Sequence, residues 1–215
     1  DVIFADRLCH ASLIDGSLLS RAQLHRYDHN DPADLRRLLE QHRKSYQNAL
    51  IVTESVFSMD GDLAPLADLV ELKDTYDCEM LVDEAHATGI FGAHGEGRVE
   101  ARGLTDAVEL IMGTFSKALG GFGAYVAAGG TDIDYLVNSL RSFIYSTALP
   151  PSVTASNLAA VSLCLDGRTD GGQLLRRARL IRRDLSEAGF TVRGESQIIP
   201  VMMGDSAEAL RVGRE

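Results

Sequence analysis

The sequence predicts an α/β fold in which a mostly parallel sheet is covered by helices on both faces. Short apolar runs alternate along the chain with segments whose apolar residues recur at helical spacing. Several of these runs stop abruptly at polar residues, as buried parallel strands do at the edge of a sheet. With 215 residues, of which 45% are hydrophobic, the chain can also bury a core of the size that such a sheet requires.

Five apolar runs are predicted to be strands of this sheet. Each is short and rich in aliphatic residues, which is typical of strands that are buried on both faces. The first lies almost at the start of the chain, and the last runs into two consecutive glycines. The predicted strands cover residues 2–5, 49–53, 80–82, 110–112 and 125–128.

Helices are predicted between and after these strands. Asp31 supplies an N-cap and Pro32 a first-turn proline ahead of a leucine-rich stripe. Pro65 precedes a second stripe of apolar residues at helical spacing. Helices are accordingly expected from residue 32 onwards, over 66–76, over 131–141 and over 151–165.

A change of composition predicts a domain boundary. Residues 166–172 are rich in glycine and aspartate, a pattern that favours a loop between folded units. Residues 1–167 are therefore expected to form a large domain. Residues 168–215 would begin a smaller carboxyl-terminal α/β domain, with an arginine-rich helix and short strands at 190–192 and 198–202.

The overall charge restricts the classes of partner. The chain has 21 basic and 31 acidic residues, a formal net charge of −10, which disfavours binding to nucleic acid or to an anionic membrane. No apolar stretch reaches the roughly 18 residues of a membrane span, and no signal peptide is visible. The three cysteines are widely spaced and form no CxxC motif, which predicts free thiols in a reducing, cytoplasmic compartment.

Two segments carry side chains suited to one cofactor. Asp83 directly follows a predicted strand, and Lys117 lies in the glycine-bounded turn after the next one. At the carboxyl ends of parallel strands both would lie where ligands bind. The lysine amine can form a Schiff base with pyridoxal phosphate, and the carboxylate can keep the pyridine nitrogen protonated. Taken singly, Lys117 could be a surface lysine and Asp83 a structural aspartate, but their combination favours the cofactor site.

Further polar residues surround these two. His86 could hydrogen-bond the cofactor or transfer a proton, and Thr114 could reach its phosphate. A metal site at Asp83, Glu84 and His86 is disfavoured, because three residues within four positions of an extended segment cannot converge on one ion. His10 could stack on an aromatic ring, although a lone histidine is more often structural. For Ser58, the sequence Ser-Met-Asp-Gly is itself typical of a turn.

These motifs together resemble the α-oxoamine synthases, pyridoxal-phosphate enzymes of the aspartate-aminotransferase-like fold (fold type I). The resemblance covers essentially the whole chain. It implies that Lys117 binds the cofactor covalently, that Asp83 pairs with the pyridine nitrogen and that His10 stacks on the ring. The segments that carry it are 10–16, 29–31, 53–61, 83–86, 113–121 and 145–147.

The resemblance also implies an assembly and a wider set of contacts. Ser58, His86 and Thr114 match residues that contact cofactor oxygens. Ser146 and Thr147 match a segment that reaches the phosphate in the neighbouring subunit's site, so a homodimer with shared active sites is expected. The family's upstream phosphate loop would precede residue 1 and its carboxylate-binding arginine would follow residue 215, so the chain is expected to be truncated at both ends.

The expected reaction is a decarboxylative Claisen condensation of an amino acid with an acyl thioester. Within the family, the phrases at 27–31, 59–65 and 145–151 look more like the members that use L-alanine and a pimeloyl thioester, so the resemblance implies these substrates, the thioester being carried by coenzyme A or acyl carrier protein. Glycine with acetyl-CoA is the alternative within the family. A catalytically inactive fragment or dimerisation partner is an alternative of another class. A nucleotide-binding domain is disfavoured because the GxGxxG and GxxxxGK[ST] motifs are absent.

Overall fold

The computed structural model describes residues 1–214, which form an α/β unit around a single six-stranded sheet. Five of the strands coincide with the predicted ones to within two residues at each end. The strands are β1 (Val2–Asp6), β2 (Gln23–Tyr27), β3 (Ala49–Glu54), β4 (Glu79–Asp83), β5 (Leu110–Thr114) and β6 (Ala124–Ala128).

The sheet has the order β2-β1-β3-β4-β5-β6. The first five strands in this order are parallel to their neighbours, and β6 pairs antiparallel with β5 at one edge. The prediction of a mostly parallel sheet is therefore confirmed. This topology brings the carboxyl ends of β1, β3, β4 and β5 to one edge of the sheet.

Helices cover both faces of the sheet, as predicted. Alternate residues of each buried strand point to opposite faces. Phe4, Ile51 and Met80 belong to the larger core cluster, which contains leucines of α2 and α3, whereas Ile3 and Val52 belong to a second cluster against α1. The helices are α1 (Ala11–Leu19), α2 (Pro32–His42), α3 (Leu66–Thr75), α4 (Arg98–Ala101), α5 (Gly130–Ser139), α6 (Arg141–Ile144), α7 (Pro151–Leu165), α8 (Gly171–Glu187) and α9 (Ser206–Val212).

Two elements near the start of the chain were not predicted. Strand β2 has the sequence Gln-Leu-His-Arg-Tyr, whose polar residues suit an edge strand and hide it from a search for apolar runs. Helix α1 contains Gly16 and two serines, which weaken the helical pattern, and His10 serves as its N-cap by accepting from the Ser12 amide. Strand β2 is therefore stabilised by pairing with β1, and helix α1 by packing against the sheet, although the local sequence predicts neither element.

One predicted helix and two predicted strands differ in the structure. The helix expected over 131–141 ends at Ser139, because Leu140 adopts an extended backbone before the short helix α6 begins. The strands expected at 190–192 and 198–202 are wrong: only one antiparallel bridge forms there, between Val192 and Val201. Since strands without a wider sheet to join bury little surface, this pair does not extend into a ladder.

The segment after residue 167 contacts the sheet-bearing part directly. The Ser196 hydroxyl donates to the carbonyl of Gly61 at 2.7 Å, and the Gln197 amide nitrogen donates to the carbonyl of His86 at 2.8 Å. Arg182 of α8 donates to the carbonyl of Ser196 at 2.7 Å, which ties the helix to the same segment. The boundary at 167 and 168 stays a prediction.

Two further expectations concern bulk properties. Within residues 1–214 no helix combines the length and the apolarity that crossing a bilayer requires. Cys9, Cys78 and Cys164 are buried free thiols, as predicted. Burial raises the pKa of the Cys9 thiol, with Asp6 and Glu54 nearby, so this thiol is held in its neutral, unreactive form.

His29 joins the end of β1 to the turn after β3 through two carboxylates, and this arrangement of His29, Asp6 and Asp62 is called the His29 clamp. The His29 ring contacts Asp6 Oδ1 through Nδ1 at 2.9 Å and Asp62 Oδ2 through Nε2 at 2.8 Å. Its edge packs on the Phe57 ring at a centroid distance of 4.4 Å. Burial works to lower the pKa of His29, but the hydrogen bonds and charges of the two carboxylates outweigh it and raise this pKa.

The clamp predicts a pH-dependent contribution to stability. Because the pKa of His29 is raised on folding, its contribution is complete below the unfolded pKa near 6.5 and is lost as the pH rises through the folded value. We expect His29→Gln to lower the free energy of unfolding by roughly 1–3 kcal/mol at low pH and by less at high pH. Urea denaturation of both proteins at about pH 6 and about pH 9 measures this, and an equal loss at both would contradict it.

Candidate active site

Four strand ends place polar residues at one edge of the sheet. Asp6, Glu54, Asp83 and Thr114 are the last residues of β1, β3, β4 and β5, and all four are buried. The register sets Glu54 directly opposite Asp83 on adjacent parallel strands. Two carboxyl groups are thereby held side by side on the same face of the sheet, where parallel sheets bind ligands.

Asp83 is deeply buried at this edge. It is 5% exposed, and its Oδ1 accepts a hydrogen bond from the Ala85 amide at 2.7 Å. No hydrogen bond from another described residue reaches its second carboxylate oxygen. Burial raises the pKa of this carboxyl, whereas the Ala85 amide and the charges of Lys117 and His10 act to lower it. The group therefore suits a cationic partner supplied from the cleft.

Lys117 lies in the turn between β5 and β6. Its side chain is exposed overall, but the surrounding protein removes part of the water around the amine. This desolvation lowers the pKa of Lys117, while Asp83 and Glu54 act in the opposite direction. The turn itself is closed by hydrogen bonds from the Gly120 amide to the Lys117 carbonyl at 3.0 Å and from the Gly121 amide to the Phe115 carbonyl at 2.7 Å.

Two histidines lie near this pair: the charge of Lys117 acts on His86, and the charge of His10 acts on Asp83. Burial, together with the positive charges of Lys117 and His10, lowers the pKa of His86 to about 4. The His86 ring is therefore neutral at physiological pH, able to donate from one nitrogen and to accept at the other. His10 exposes its ring, and its Nδ1 lies 2.8 Å from Ser12 Oγ and accepts from the Ser12 amide at 3.2 Å.

Thr114 organises the start of the lysine turn. Its hydroxyl lies 2.8 Å from Ser116 Oγ and donates to the Gly123 carbonyl at 2.9 Å. Its oxygen also accepts from the Ser116 amide at 3.2 Å. The hydroxyl that could contact a phosphate is therefore fixed by the same hydrogen bonds that shape the turn.

Three other predicted site residues lie outside this cluster of contacts. Ser58 is half-buried in the turn after β3, as the Ser-Met-Asp-Gly sequence predicted, with the Gly61 amide donating to the Phe57 carbonyl at 2.9 Å. Ser146 and Thr147 are exposed after α6, and the Ser146 hydroxyl donates to the Ser142 carbonyl. Among residues 1–214 no hydrogen bond links these two to the strand-edge cluster, so their role stays a prediction.

Glu54 is a site residue that the sequence analysis missed. It is 3% exposed, its Oε1 accepts from the His10 amide at 2.5 Å, and burial raises its pKa to about 7, with the charge of Asp83 as the next cause. A signal was present, because Glu54 follows an apolar strand as Asp83 does. Glu54 also lies within the segment 53–61 that carries the family resemblance, but that resemblance implied no role for this residue.

Glu84 is placed differently from its neighbour Asp83. Its Oε1 accepts from the backbone amides of Arg98 and Val99, at 2.9 and 3.1 Å, and so caps α4. Within the described residues no group of three histidine, cysteine or acidic side chains is arranged to hold a metal ion.

The opposite edge of the sheet offers a weaker candidate. A polar cleft of about 400 Å³ is lined there by Arg43 and Lys73, among others. Both cations already have carboxylate partners, Asp77 at 3.4 Å and Glu109 at 2.7 Å. Because its charges are neutralised internally, this cleft has less capacity for chemistry than the edge that carries Asp83 and Lys117.

Residues 1–213 match the family described as aminotransferase class I and II, and the chain belongs to this family. The curated relatives include the 8-amino-7-oxononanoate synthase of Geotalea daltonii, 49% identical over 221 residues that cover 100% of this chain and 56% of that protein. The enzyme of the same name from Geobacter metallireducens is 50% identical, covering 98% of this chain and 54% of that protein. The chain thus spans about half the length of the curated relatives it matches.

Solved structures of this class share the fold. A serine palmitoyltransferase of Sphingomonas wittichii superposes with a TM-score of 0.92 at 32% identity, covering 98% of this chain and 53% of its own. An 8-amino-7-oxononanoate synthase of Francisella tularensis superposes with a TM-score of 0.83 at 27% identity, covering 99% and 62%. The expected fold of the α-oxoamine synthases is therefore confirmed for the described residues.

The environment of His86 predicts its titration. We expect its NMR signals to titrate with a midpoint near pH 4, because burial and two nearby cations disfavour the imidazolium. Lys117→Ala should raise this midpoint while leaving it below the ordinary value of 6.5, since burial is the larger cause. Lys44→Ala, on the short 3₁₀ helix Arg43–Ser45, is the control and should leave it unchanged. A midpoint near 6.5 in the native protein would refute this description of the site.

Proposed function

We propose that this chain carries the pyridoxal-phosphate site of an acyltransferase. The proposed reaction is the decarboxylative condensation of L-alanine with a pimeloyl thioester, of coenzyme A or acyl carrier protein, which gives 8-amino-7-oxononanoate for biotin biosynthesis. The observation that carries the proposal is the placement of buried Asp83 within electrostatic range of the partly desolvated amine of Lys117, at the carboxyl edge of a parallel sheet. The relatives of about 50% identity support the choice of substrates.

The residues present fit the cofactor chemically. Asp83 is a buried carboxylate with one oxygen bound to the Ala85 amide and the other without a protein donor among the described residues, as a protonated ring nitrogen requires. Thr114 and Ser116 offer hydroxyl groups beside the glycine-bounded turn. A solved structure of SPT with a PLP internal aldimine superposes on this chain with a TM-score of 0.86 at 30% identity.

Lys117 would have two tasks in this function. Pyridoxal phosphate supplies an aldehyde that bonds to amines and a ring that withdraws electrons from the substrate's α-carbon. The Lys117 amine would hold the cofactor between turnovers and, once displaced by the amino acid, would accept the α-proton at Nζ. Both tasks need the unprotonated amine, which the desolvation of Lys117 favours.

The remaining residues would orient the cofactor and hold its protons. Asp83 would keep a proton on the pyridine nitrogen, and His10, whose ring is exposed at the N-terminus of α1, would stack on the ring. Neutral His86 would hydrogen-bond a cofactor oxygen, as would Ser58. Thr114 would contact the phosphate.

Ser146 and Thr147 would act across a subunit boundary. Both are exposed and make no hydrogen bond to the strand-edge cluster within the described residues, which suits side chains that serve another copy of the chain. We therefore propose a homodimer in which these two residues approach the phosphate site of the partner.

A related condensation is the second candidate. The similarity to serine palmitoyltransferase favours the same class of reaction with another amino acid and acyl chain. Product analysis by mass spectrometry should discriminate between L-alanine with pimeloyl-CoA, glycine with acetyl-CoA and L-serine with palmitoyl-CoA. We expect turnover with the first pair at a rate at least about tenfold above the others. A preference for either other pair would overturn the proposed substrates and leave the proposed chemistry intact.

Borohydride trapping tests the cofactor site. The chain contains three lysines, Lys44, Lys73 and Lys117, so peptide mapping after reduction identifies the modified residue without ambiguity. We expect purified protein mixed with pyridoxal phosphate to absorb near the visible range and, after reduction, to carry the cofactor on Lys117.

Two variants complete this experiment. Lys117→Ala should lose both the absorption and the adduct, because it removes the amine while leaving the rest of the edge in place. Lys44→Ala, which removes an amine remote from this edge, should keep both. An adduct on Lys73 or Lys44 in the native protein, or an unchanged spectrum in Lys117→Ala, would refute the proposed site.

A further inference from the structure

We propose that Glu54 is a positioning residue of this site: its buried carboxyl group holds the backbone of His10 at the start of α1, and its charge acts on the Lys117 amine. This inference deepens the proposed function and rests on it for the roles of His10 and Lys117. Three observations carry it. The Glu54 carboxyl group accepts from the His10 amide, lies opposite Asp83 in the sheet and is within electrostatic range of Lys117.

The first step of the argument is the contact with His10. Glu54 ends β3, and its Oε1 accepts from the His10 amide at 2.5 Å, across 44 positions of sequence. His10 is the N-cap of α1, so this bond fixes the end of that helix to the sheet edge. A charged acceptor on a backbone amide is among the stronger protein hydrogen bonds. The backbone position from which the exposed His10 ring projects therefore depends on Glu54.

The second step is the pairing with Asp83. The two residues are opposite each other in the register of β3 and β4, and both are buried. Two carboxylates in such a place resist simultaneous ionisation. Burial and the charge of Asp83 outweigh the His10 amide and Lys117 and raise the pKa of Glu54 to about 7, so the charge of Glu54 changes near neutrality.

The third step is the effect on Lys117. The lysine gains stabilisation of its cation from Asp83 and from Glu54, against the desolvation that favours the neutral amine. When Glu54 is ionised the amine is more basic, and when Glu54 is neutral the amine is less basic. The ionisable groups around this carboxyl are Asp6 on β1, Cys9 and His10 before α1, Asp83 on β4 and Lys117 after β5.

The reactivity of Lys117 tests the charge effect without added cofactor. Glu54→Gln keeps the size and the acceptor oxygen but removes the charge. Trinitrobenzenesulfonate, which modifies only unprotonated amines, followed by peptide mapping, reports the rate at Lys117. At about pH 8 we expect the variant's rate to be about threefold that of the native protein, because loss of a nearby anion lowers the lysine pKa.

The pH dependence of that ratio identifies the cause. Below pH 7 the ratio should fall towards one, because Glu54 in the native protein is then neutral as well. Glu79→Gln is the matched control: it removes the same charge from an exposed position at the start of β4, at the opposite edge, and should leave the rate unchanged. A ratio of one at about pH 8, or a raised ratio that stays constant with pH, would overturn the charge effect.

Amide exchange tests the contact with His10. In Glu54→Ala we expect the His10 amide to exchange about tenfold faster, since it loses a charged acceptor, whereas Glu54→Gln should stay close to the native rate. Unchanged exchange in Glu54→Ala would overturn the positioning role.

Borohydride trapping separates this inference from the proposed function. Failure to trap pyridoxal phosphate on Lys117 in the native protein refutes the function. The modification and exchange results refute or support the role of Glu54 whether or not that cofactor binds.

Discussion

The burial of carboxyl groups at the carboxyl edge of one parallel sheet is the constraint on which this structure depends. Asp6, Glu54 and Asp83 end β1, β3 and β4, which are consecutive strands of the sheet, and each side chain is 5% exposed or less. Carboxylates in such a place are stable only if donors or cations reach them. Much of the surrounding loop structure meets that need: the His29 clamp and the Asn30 amide bind Asp6, the His10 amide binds Glu54, and the Ala85 amide binds Asp83.

The loop after β4 is shaped by a fourth buried carboxylate. Glu84 caps α4, and the Arg98 guanidinium, held by the carbonyls of Ser55 and Ala64, fixes that helix against the turn after β3. Gly97 adopts a φ of 125°, and a Cβ there would lie 1.6 Å from Glu84 Oε2. The close approach of this loop to Glu84 therefore requires glycine at residue 97.

The sequence predicted the elements that have a strong local pattern of apolar residues and missed two in which that pattern is weak. The aliphatic runs of β1, β3, β4 and β5 can be recognised from the local sequence, as can the apolar residues at helical spacing in α2 and α3. Strand β2 is polar because it lies at an edge, and α1 is held by the sheet and by its His10 cap, so neither has a strong local pattern. At the site, Asp83 and Lys117 were identifiable from strand ends and glycines. The role of Glu54 depends on register and on a contact across 44 residues, which one-dimensional spacing does not encode.

The proposed chemistry follows from a balance of opposing effects at this edge. Burial alone would favour a neutral Lys117 but would also favour a protonated Asp83, which could not hold a cationic ring nitrogen. Attraction between the charges alone would keep Asp83 ionised, because Lys117 is positive. The same attraction would hold the Lys117 amine in its unreactive, protonated form. Both effects act on Lys117, whose pKa is lowered by desolvation against the pull of Asp83 and Glu54. Desolvation thus favours the neutral, nucleophilic amine, while the Ala85 amide and Lys117 favour the ionised form of Asp83, the combination that a lysine-bound cofactor with a protonated ring requires.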